Sequence, residues 1–288
     1  MELLSANYSF VVFLSHFVDK PIALKYANTY NLKYDKPHRV LSLWPPGGLE
    51  FRIWNLDAGL FVFGGVGMER RAVFFIDGFN LYHSLDNNPY FRKYKWLNLW
   101  RFCEHLLFPN DKLVEVLYFT AYTDWNPDRQ ARHHTYVSIN QHHGCNVIFG
   151  QFQERTRISR ALCASPCLPP SGKKHCGREY LAHEEKMTDV NIAVNILKAC
   201  VKKTCDAVYL LSGDNDLVPA LETARELHSD IRIRVVLPIN AKAKKLMTLC
   251  RDKGFKYMRI KEEHLAKSQF PDQVILEDKT YTKPINWN

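Results

Sequence analysis

An uninterrupted apolar run that ends in an acid constrains this chain more than any other feature. Residues 72–76 (Ala-Val-Phe-Phe-Ile) lead directly into Asp77, Gly78, Phe79 and Asn80. A short run of β-branched and aromatic residues is typical of a strand buried on both faces, at the centre of a parallel sheet. Ligands bind just beyond the carboxyl ends of such strands. Asp77 is therefore expected either to point into a site or simply to cap the turn or helix that follows.

Strand and helix patterns alternate along the chain after this run. Further strands are predicted over residues 112–122, 145–149, 207–211 and 231–237, and helices over 96–107, 126–143, 188–203, 217–228 and 241–252. On the helix that starts at Thr188, the predicted apolar stripe consists of Val190, Ala193, Val194, Leu197 and Val201. Alternation of this kind implies parallel strands joined by helical crossovers, so the sequence predicts an α/β fold with a mainly parallel central sheet.

Two further segments supply carboxylates in matching places. Thr188 is a predicted N-cap, which puts Asp189 in the first turn of its helix, and the buried strand 207–211 is followed by Asp214 and Asp216. Asp216 could simply cap the next helix. Acids brought together at one sheet edge repel one another unless a cation or shared protons compensate. Oxygen-rich sites suit Mg²⁺ or Mn²⁺, and these ions activate water for phosphoryl displacement.

The segments 75–82, 184–193 and 212–217 occur in the order seen in NYN domains. The chain resembles this family, the LabA-like branch of the PIN-like ribonuclease superfamily, from about residue 70 to its closing Pro-Ile-Asn-Trp at 284–287. The resemblance implies a Rossmann-like three-layer fold and a Mg²⁺- or Mn²⁺-dependent ribonuclease. Its implied metal-binding and catalytic acids are Asp77, Asp189, Asp214 and Asp216, with Asn80 and Ser212 supporting the metal or the phosphate.

One position departs from the family pattern. Asn195 stands where many relatives carry another Asp, which puts a second metal site in doubt. The alternative function is therefore a non-catalytic RNA-binding or regulatory module with the same fold. A phosphatase of the haloacid-dehalogenase type would need an acid where Phe79 stands. Dinucleotide binding would need a Gly-rich loop after the first strand, and none follows it.

The charge balance favours nucleic acid as a partner. The chain has 39 Lys and Arg against 30 Asp and Glu, a formal net charge of +9. A basic protein with an acidic site is expected to bind RNA, and Arg155, Arg157 and Lys186 are predicted substrate-binding residues. No apolar run is long enough to span a membrane and no signal peptide is apparent, so a cytoplasmic protein without a membrane partner is predicted. Homo-oligomer formation is left open.

Residues 1–67 differ from the rest of the chain. They show no sustained strand or helix period, and Met68 leads directly into the first predicted strand. We predict an irregular N-terminal extension over residues 1–67 and an NYN/PIN-like domain over residues 68–288. Our hypothesis is that Met68 is the true start of translation. A native peptide from before Met68, identified by mass spectrometry, would refute it.

An insert over residues 151–183 carries four potential zinc ligands, Cys163, Cys167, His175 and Cys176. Structural zinc prefers four sulfur or nitrogen ligands in a tetrahedral arrangement. The spacing only approximates that of zinc ribbons, and the adjacent positions of His175 and Cys176 make joint ligation awkward. Two interpretations stay open: a structural zinc site, or an irregular loop with reduced thiols. The zinc content of the purified protein distinguishes them.

Overall fold

A computed structural model describes residues 69–159, 179–277 and 279–287, together with five strands before residue 64. The chain divides into two compact units, Met1–Glu69 and Arg70–Asn288. Among the described residues, no helix combines the length and the apolar character needed to cross a bilayer.

The first unit contains a five-stranded antiparallel sheet. Its strands are β1 (Ser5–Ala6), β2 (Ser9–Leu14), β3 (Val40–Leu43), β4 (Phe51–Leu56) and β5 (Gly59–Phe63), in the order β1-β2-β5-β4-β3. We predicted an irregular extension over residues 1–67, and these strands are more regular structure than the sequence pattern indicated. The hypothesis that translation starts at Met68 stays a prediction.

The second unit is built on a six-stranded parallel sheet. The strands of this unit are β6 (Arg70–Asp77), β7 (Asp111–Thr120), β8 (Cys145–Phe149), β9 (Gln151–Ile158), β10 (Glu179–Lys186), β11 (Ala207–Leu211), β12 (Arg232–Leu237), β13 (Lys256–Arg259), β14 (Gln273–Leu276) and β15 (Lys279–Thr282). Six of them form the sheet, in the order β13-β12-β11-β6-β7-β8. The other four pair as two antiparallel hairpins, β9 with β10 and β14 with β15.

Helices cover both faces of this sheet. They are α1 (Gly78–Asp86), α2 (Leu99–Glu104), α3 (Pro127–His142), α4 (Thr188–Lys202), α5 (Val218–Leu227), α6 (Lys244–Asp252) and α7 (Glu262–Lys267), with 3₁₀ turns at Pro89–Tyr94, Asn215–Leu217 and Ile285–Trp287. Successive side chains of a strand point to opposite faces. Phe74 and Ile76 accordingly pack in one core with residues of α1, α2 and α3, while Val73 and Phe75 pack in the other with residues of α4, α5 and α6. The predicted three-layer α/β fold is confirmed.

The strand order reverses direction at β6. From β6 the chain proceeds outward to β7 and β8, and it then returns to place β11, β12 and β13 on the other side. The loops after β6 and β11 therefore leave from neighbouring strand ends and lead to opposite faces. Such a switch point opens a crevice at the carboxyl edge of the sheet, and ligands of open α/β proteins bind there.

Helix α4 is rotated relative to our prediction. The buried residues are Ile192, Ile196, Ala199 and Cys200. Of the predicted stripe, Val190, Val194 and Val201 are 55–66% exposed, while Ala193 and Leu197 are partly buried against the core. Both sets recur at intervals of three or four residues, so the sequence offers two apolar faces. The prediction chose the face that the fold leaves toward solvent.

The predicted irregular insert is in part a hairpin. β9 and β10 pair without interruption from Gln151 opposite Lys186 to Ile158 opposite Glu179. Their side chains are largely polar and exposed, so the strands lack the apolar alternation that would have predicted them. Cys163, Cys167, His175 and Cys176 lie outside the described residues, and the zinc hypothesis stays a prediction.

Paired alanine substitutions test the orientation of α4. Ile196 is fully buried, so Ile196→Ala should lower the free energy of unfolding by about 3 kcal/mol through lost burial and a cavity. The matched control Val194→Ala removes an exposed side chain from the same helix and should change stability by at most about 0.5 kcal/mol. Urea denaturation followed by circular dichroism measures both. A larger loss for Val194→Ala would mean that the predicted stripe is the buried one.

Candidate functional site

The candidate site lies at the carboxyl ends of β6 and β11. In the register of these strands Ile76 is opposite Leu211, so the next residues, Asp77 and Ser212, are neighbours. Both side chains are buried: Asp77 is 2% exposed and Ser212 fully buried. The backbone of two adjacent parallel strands thus brings together residues that are 135 positions apart in the sequence.

Three hydrogen bonds fix the Asp77 carboxylate. Its Oδ1 accepts from the Asn80 backbone N–H at 2.9 Å. Its Oδ2 accepts from Asn80 Nδ2 at 2.6 Å and from Ser212 Oγ at 2.9 Å. The first of these bonds caps α1, so the capping interpretation of Asp77 is correct as far as it goes. The bond from Asn80 Nδ2 holds the carboxylate to the same helix, and the bond from Ser212 ties it to the end of the neighbouring strand.

Asn80 and Ser212 also hold the loop that follows β11. Asn80 Oδ1 accepts from the Gly213 N–H at 3.2 Å, and Ser212 Oγ accepts from the Asp214 N–H at 3.0 Å. Asp214 Oδ1 in turn accepts from the Asp216 N–H at 2.9 Å and caps the 3₁₀ turn that follows. Of the predicted residues, Asp77, Asn80, Ser212 and Asp214 are thus joined in one network, in which Asn80 and Ser212 position both acids.

The start of α4 supplies the next acid. Met187 is in the left-handed region with φ 77°, and Thr188 is the first helical residue rather than the predicted N-cap. The cap is provided instead by Glu185, whose Oε1 accepts from the Thr188 N–H at 3.0 Å. Asp189 lies in the first helical turn, as predicted, and is exposed.

The acids of the three segments interact electrostatically. Burial raises the pKa of Asp77, and the charge of Asp214 adds to this, against the hydrogen bonds from Asn80 and Ser212. The pKa of Asp189 is raised to about 6, first by partial desolvation and then by the neighbouring acids Asp214, Asp77, Glu185 and Asp216. These carboxyl groups therefore form one acidic cluster at the switch point.

This donor set fits a hard divalent cation in its chemistry, because carboxylate oxygens are the preferred ligands of Mg²⁺ and Mn²⁺. In their present rotamers, no three Asp, Glu, His or Cys side chains among the described residues are arranged to hold a metal ion. Asp189 and Asp216 are exposed at the first turns that carry them, whereas Asp77 is buried and fixed by its hydrogen bonds.

The predicted basic residues and Asn195 have other partners. Arg157 and Lys186 both form ion pairs with Glu184, at 2.7 Å and 3.0 Å, and Arg155 is exposed on β9. Asn195 Nδ2 donates to the Asn191 carbonyl one helical turn earlier, at 2.8 Å.

A cavity of about 420 Å³ lies beside the acids, and the sequence did not reveal it. Gly78 and Phe79, which follow Asp77 directly, line it together with Glu185. Aromatic side chains from segments throughout the second unit contribute to its walls, among them Tyr82, Tyr118, Trp125, Tyr136, Phe152 and Trp287. His133 also lines the cavity. Burial lowers the pKa of His133 to about 4 and keeps its ring neutral.

A parallel sheet between two helical layers, with acids gathered where the strand order reverses, defines an α/β protein of the PIN-like type. A model of the NYN domain matches residues 71–254, and the chain belongs to this family. The 6-hydroxy-3-succinoylpyridine 3-monooxygenase HspA of Pseudomonas putida is 28% identical over 243 residues, covering 75% of this chain and 75% of the relative. A crystal structure of a protein of unknown function from Vibrio parahaemolyticus aligns with 13% identity and a TM-score of 0.43, covering 68% of this chain and 95% of that one.

The raised pKa of Asp189 predicts a pH-dependent stability. Because the fold favours the neutral carboxyl, ionisation of Asp189 lowers the free energy of unfolding as the pH rises from about 4, the unfolded value, to about 6. Above pH 6 this loss of stability is complete. Asp189→Asn replaces the ionisable carboxyl by a neutral amide, so the variant does not suffer the loss. Solvent screening limits the gain to about 1 kcal/mol, so we expect the Tm to rise by roughly 2–4 °C at pH 7.5 in EDTA and to be unchanged at pH 4.

Asp128→Asn is the matched control, because Asp128 also lies in the first turn of a helix, α3, outside the acid cluster. It should lose a favourable helix-dipole interaction and gain no stability at pH 7.5. Differential scanning calorimetry at both pH values gives the comparison. Equal behaviour of the two variants would contradict the electrostatic coupling of Asp189 to the other acids.

Proposed function

We propose that this protein hydrolyses RNA phosphodiester bonds with Mg²⁺ or Mn²⁺ held by Asp77, Asp189, Asp214 and Asp216. The observation that supports this function is the convergence of acids from three segments at the switch point of the sheet, where burial and then the neighbouring acids raise the pKa of Asp77 and Asp189. Clustered carboxylates are unfavourable alone, and a divalent cation relieves their repulsion. Membership of the NYN family, whose members are usually nucleases, agrees with this function.

The acids of the site differ in how firmly their side chains are held: Asp77 is fixed by hydrogen bonds, and Asp189 is exposed. Asp77 offers a ligand whose position Asn80 and Ser212 determine, so little reorganisation is needed there. When bound, the ion lowers the pKa of a coordinated water and stabilises the charge that develops on the phosphate. Asp189 is exposed in the first turn of α4, so its side chain is free to take the orientation that an ion held by Asp77 would require.

RNA is the proposed partner because the chain is basic overall and acidic only locally. The net charge of +9 attracts the phosphate backbone. The β9–β10 hairpin carries Arg155, Arg157 and Lys186, and the last two would have to exchange Glu184 for a phosphate oxygen. A cytoplasmic location and assembly into a homo-oligomer stay predictions.

Substitution of the central acids tests the function. Asp77→Asn and Asp214→Asn should each lower the rate of RNA cleavage by at least about 100-fold, because each removes a negatively charged ligand while conserving volume. Cleavage of labelled single-stranded and structured RNA is followed with Mg²⁺, with Mn²⁺ and with EDTA. Asp252→Asn, which removes an equal charge from an exposed position at the end of α6, should cleave like the parent protein.

The result also separates the alternatives. Cleavage that is unchanged in Asp77→Asn and Asp214→Asn would contradict the mechanism. Tight RNA binding with no metal-dependent cleavage by the parent would instead support a non-catalytic RNA-binding module, for which Asn195, at a position where many relatives carry an Asp, is the supporting observation.

A second candidate function is the oxidation of a small heteroaromatic acid. The relative from Pseudomonas putida is named as a monooxygenase of a hydroxylated succinoylpyridine, and the aromatic cavity beside the acids is suited to a single ring. Consumption of oxygen and of a nicotinamide reductant in the presence of a hydroxypyridine acid would support this candidate. Cleavage of RNA by the parent protein without such turnover would rule it out.

A further inference from the structure

The aromatic cavity has the size and composition of a ligand site. Its volume of about 420 Å³ lies within the range of small-molecule and cofactor pockets. Tyr118, Tyr136 and Trp287 are at most 7% exposed and form a buried part of its wall, while Trp125 is 39% exposed and marks its open side. A planar ring could enter past Trp125 and contact aromatic faces and edges on the other sides.

The ring arrangement at the open side is held from several elements. The Trp125 ring stacks on His183 at a centroid distance of 3.6 Å and meets the edge of Phe152 at 4.7 Å. Phe152 in turn meets Phe79 edge-on at 5.5 Å. The β9–β10 hairpin therefore packs against α1 through aromatic side chains, which keeps the side of the cavity near Asp77 preformed.

Cationic side chains line the same cavity. Arg129 and Arg132 project from α3, and neither forms an ion pair with any residue that the structure describes. Both oppose the rise in the pKa of Tyr82 that burial causes, which places their charges near that phenol. Lys95 is 8% exposed and is already paired with Asp86 at 2.8 Å. The two arginines are therefore the cations best placed to receive an anion.

A buried hydroxyl in the wall has no partner. Thr123 is 6% exposed and lines the cavity, and its Oγ1 has no hydrogen-bond partner within the described residues. A buried hydroxyl without a partner is unfavourable, so a polar group of a ligand would stabilise it. His133, hydrogen-bonded to Thr120 Oγ1 at 3.1 Å, adds a neutral ring to the same wall. These polar groups suit the heteroatoms of a ring.

We propose that this cavity binds a planar heteroaromatic ring that carries an anionic group, with the ring among the aromatic side chains and the anion at Arg129 and Arg132. Two sources have this chemistry: a nucleotide of an RNA chain, and a free heteroaromatic acid. The RNA source rests on the proposed ribonuclease function, since Gly78 and Phe79 connect the cavity directly to Asp77. The binding of the ring itself does not depend on that function.

Four probes test the proposal by isothermal titration calorimetry with the full chain in EDTA. Uridine 5′-monophosphate and pyridine-3-carboxylate each combine a ring with an anion, whereas uridine lacks the anion and ribose 5-phosphate lacks the ring. Saturable binding of either ring-bearing anion, at least about 10-fold tighter than uridine and ribose 5-phosphate, supports the proposal. Binding of the nucleotide alone identifies RNA as the source, and binding of the pyridine acid alone identifies the small molecule. Failure of both anions to bind at millimolar concentration overturns the proposal.

Variants locate the binding. Trp125→Ala and Arg132→Gln should each weaken binding of the ring-bearing anion by about 10-fold, through lost stacking and a lost ionic contact respectively. Arg232→Gln, which removes an equal charge from an exposed position on β12, should leave binding unchanged. Thr123→Val should weaken binding several-fold, and Thr123→Ser, which restores the hydroxyl, should recover it. Binding that none of the cavity variants alters would overturn the proposed location.

Asp77→Asn separates this proposal from the ribonuclease function. Asp77 does not line the cavity and carries a negative charge, so this variant should bind the anionic probes at least as tightly as the parent does, whether or not it cleaves RNA. Loss of cleavage with retained ring binding supports both proposals. An active ribonuclease that binds neither anion would overturn the ring site and leave the ribonuclease function standing.

Discussion

The hydrogen bond from Ser212 to Asp77 joins the two strands on which the site depends. A carboxylate that is 2% exposed is costly to bury unless several donors satisfy it, and Asp77 has three such bonds. Two of them come from Asn80, which also accepts from the backbone of Gly213. The same few atoms therefore cap α1, fix the loop after β11 and orient Asp77. Because burial still raises the pKa of Asp77 despite these bonds, the acid is costly where it stands, which is the condition that a bound cation would relieve.

The sequence reveals this centre because its signals are local. An apolar run that ends in an acid marks β6, and a second one marks β11 with Asp214, so the rule that parallel strands end at one edge brings the acids together without any tertiary detail. The buried face of α4, in contrast, could not be predicted from local sequence. Its two apolar faces satisfy the same helical period, and only packing against the sheet selects Ile192 and Ile196 over Val190 and Val194. The β9–β10 hairpin was missed because polar, exposed strands carry no apolar alternation.

The cavity could not have been predicted for a third reason. Its walls come from α1, β7, α3, the β9–β10 hairpin and the C-terminal Trp287. These elements are far apart in the sequence, so no single motif could have indicated that they enclose a cavity. The nearest local signal is the aromatic content of α1, where Phe79 and Tyr82 follow Asp77. Read alone, those residues are equally typical of a helix that packs on a sheet. In the tertiary structure both interpretations hold for this helix, because Leu81, Tyr82 and Leu85 all line the cavity while Leu81 and Leu85 are also part of the core.

The cavity and the acid cluster share their boundary, and this makes them electrostatically dependent on each other. A Cβ on Gly78 would lie 2.5 Å from the Phe119 carbonyl oxygen, so glycine lets α1 pack directly on β7 and present Asp77 to one site and Phe79 to the other. Glu185 caps α4, lines the cavity and raises the pKa of Asp189. An anion in the cavity would raise the pKa values of Asp77 and Asp189 further, whereas the positive charges of Arg129 and Arg132 would offset the charge of the anion. The cations that α3 contributes to the cavity wall would therefore allow a negatively charged ligand to lie beside a negatively charged site.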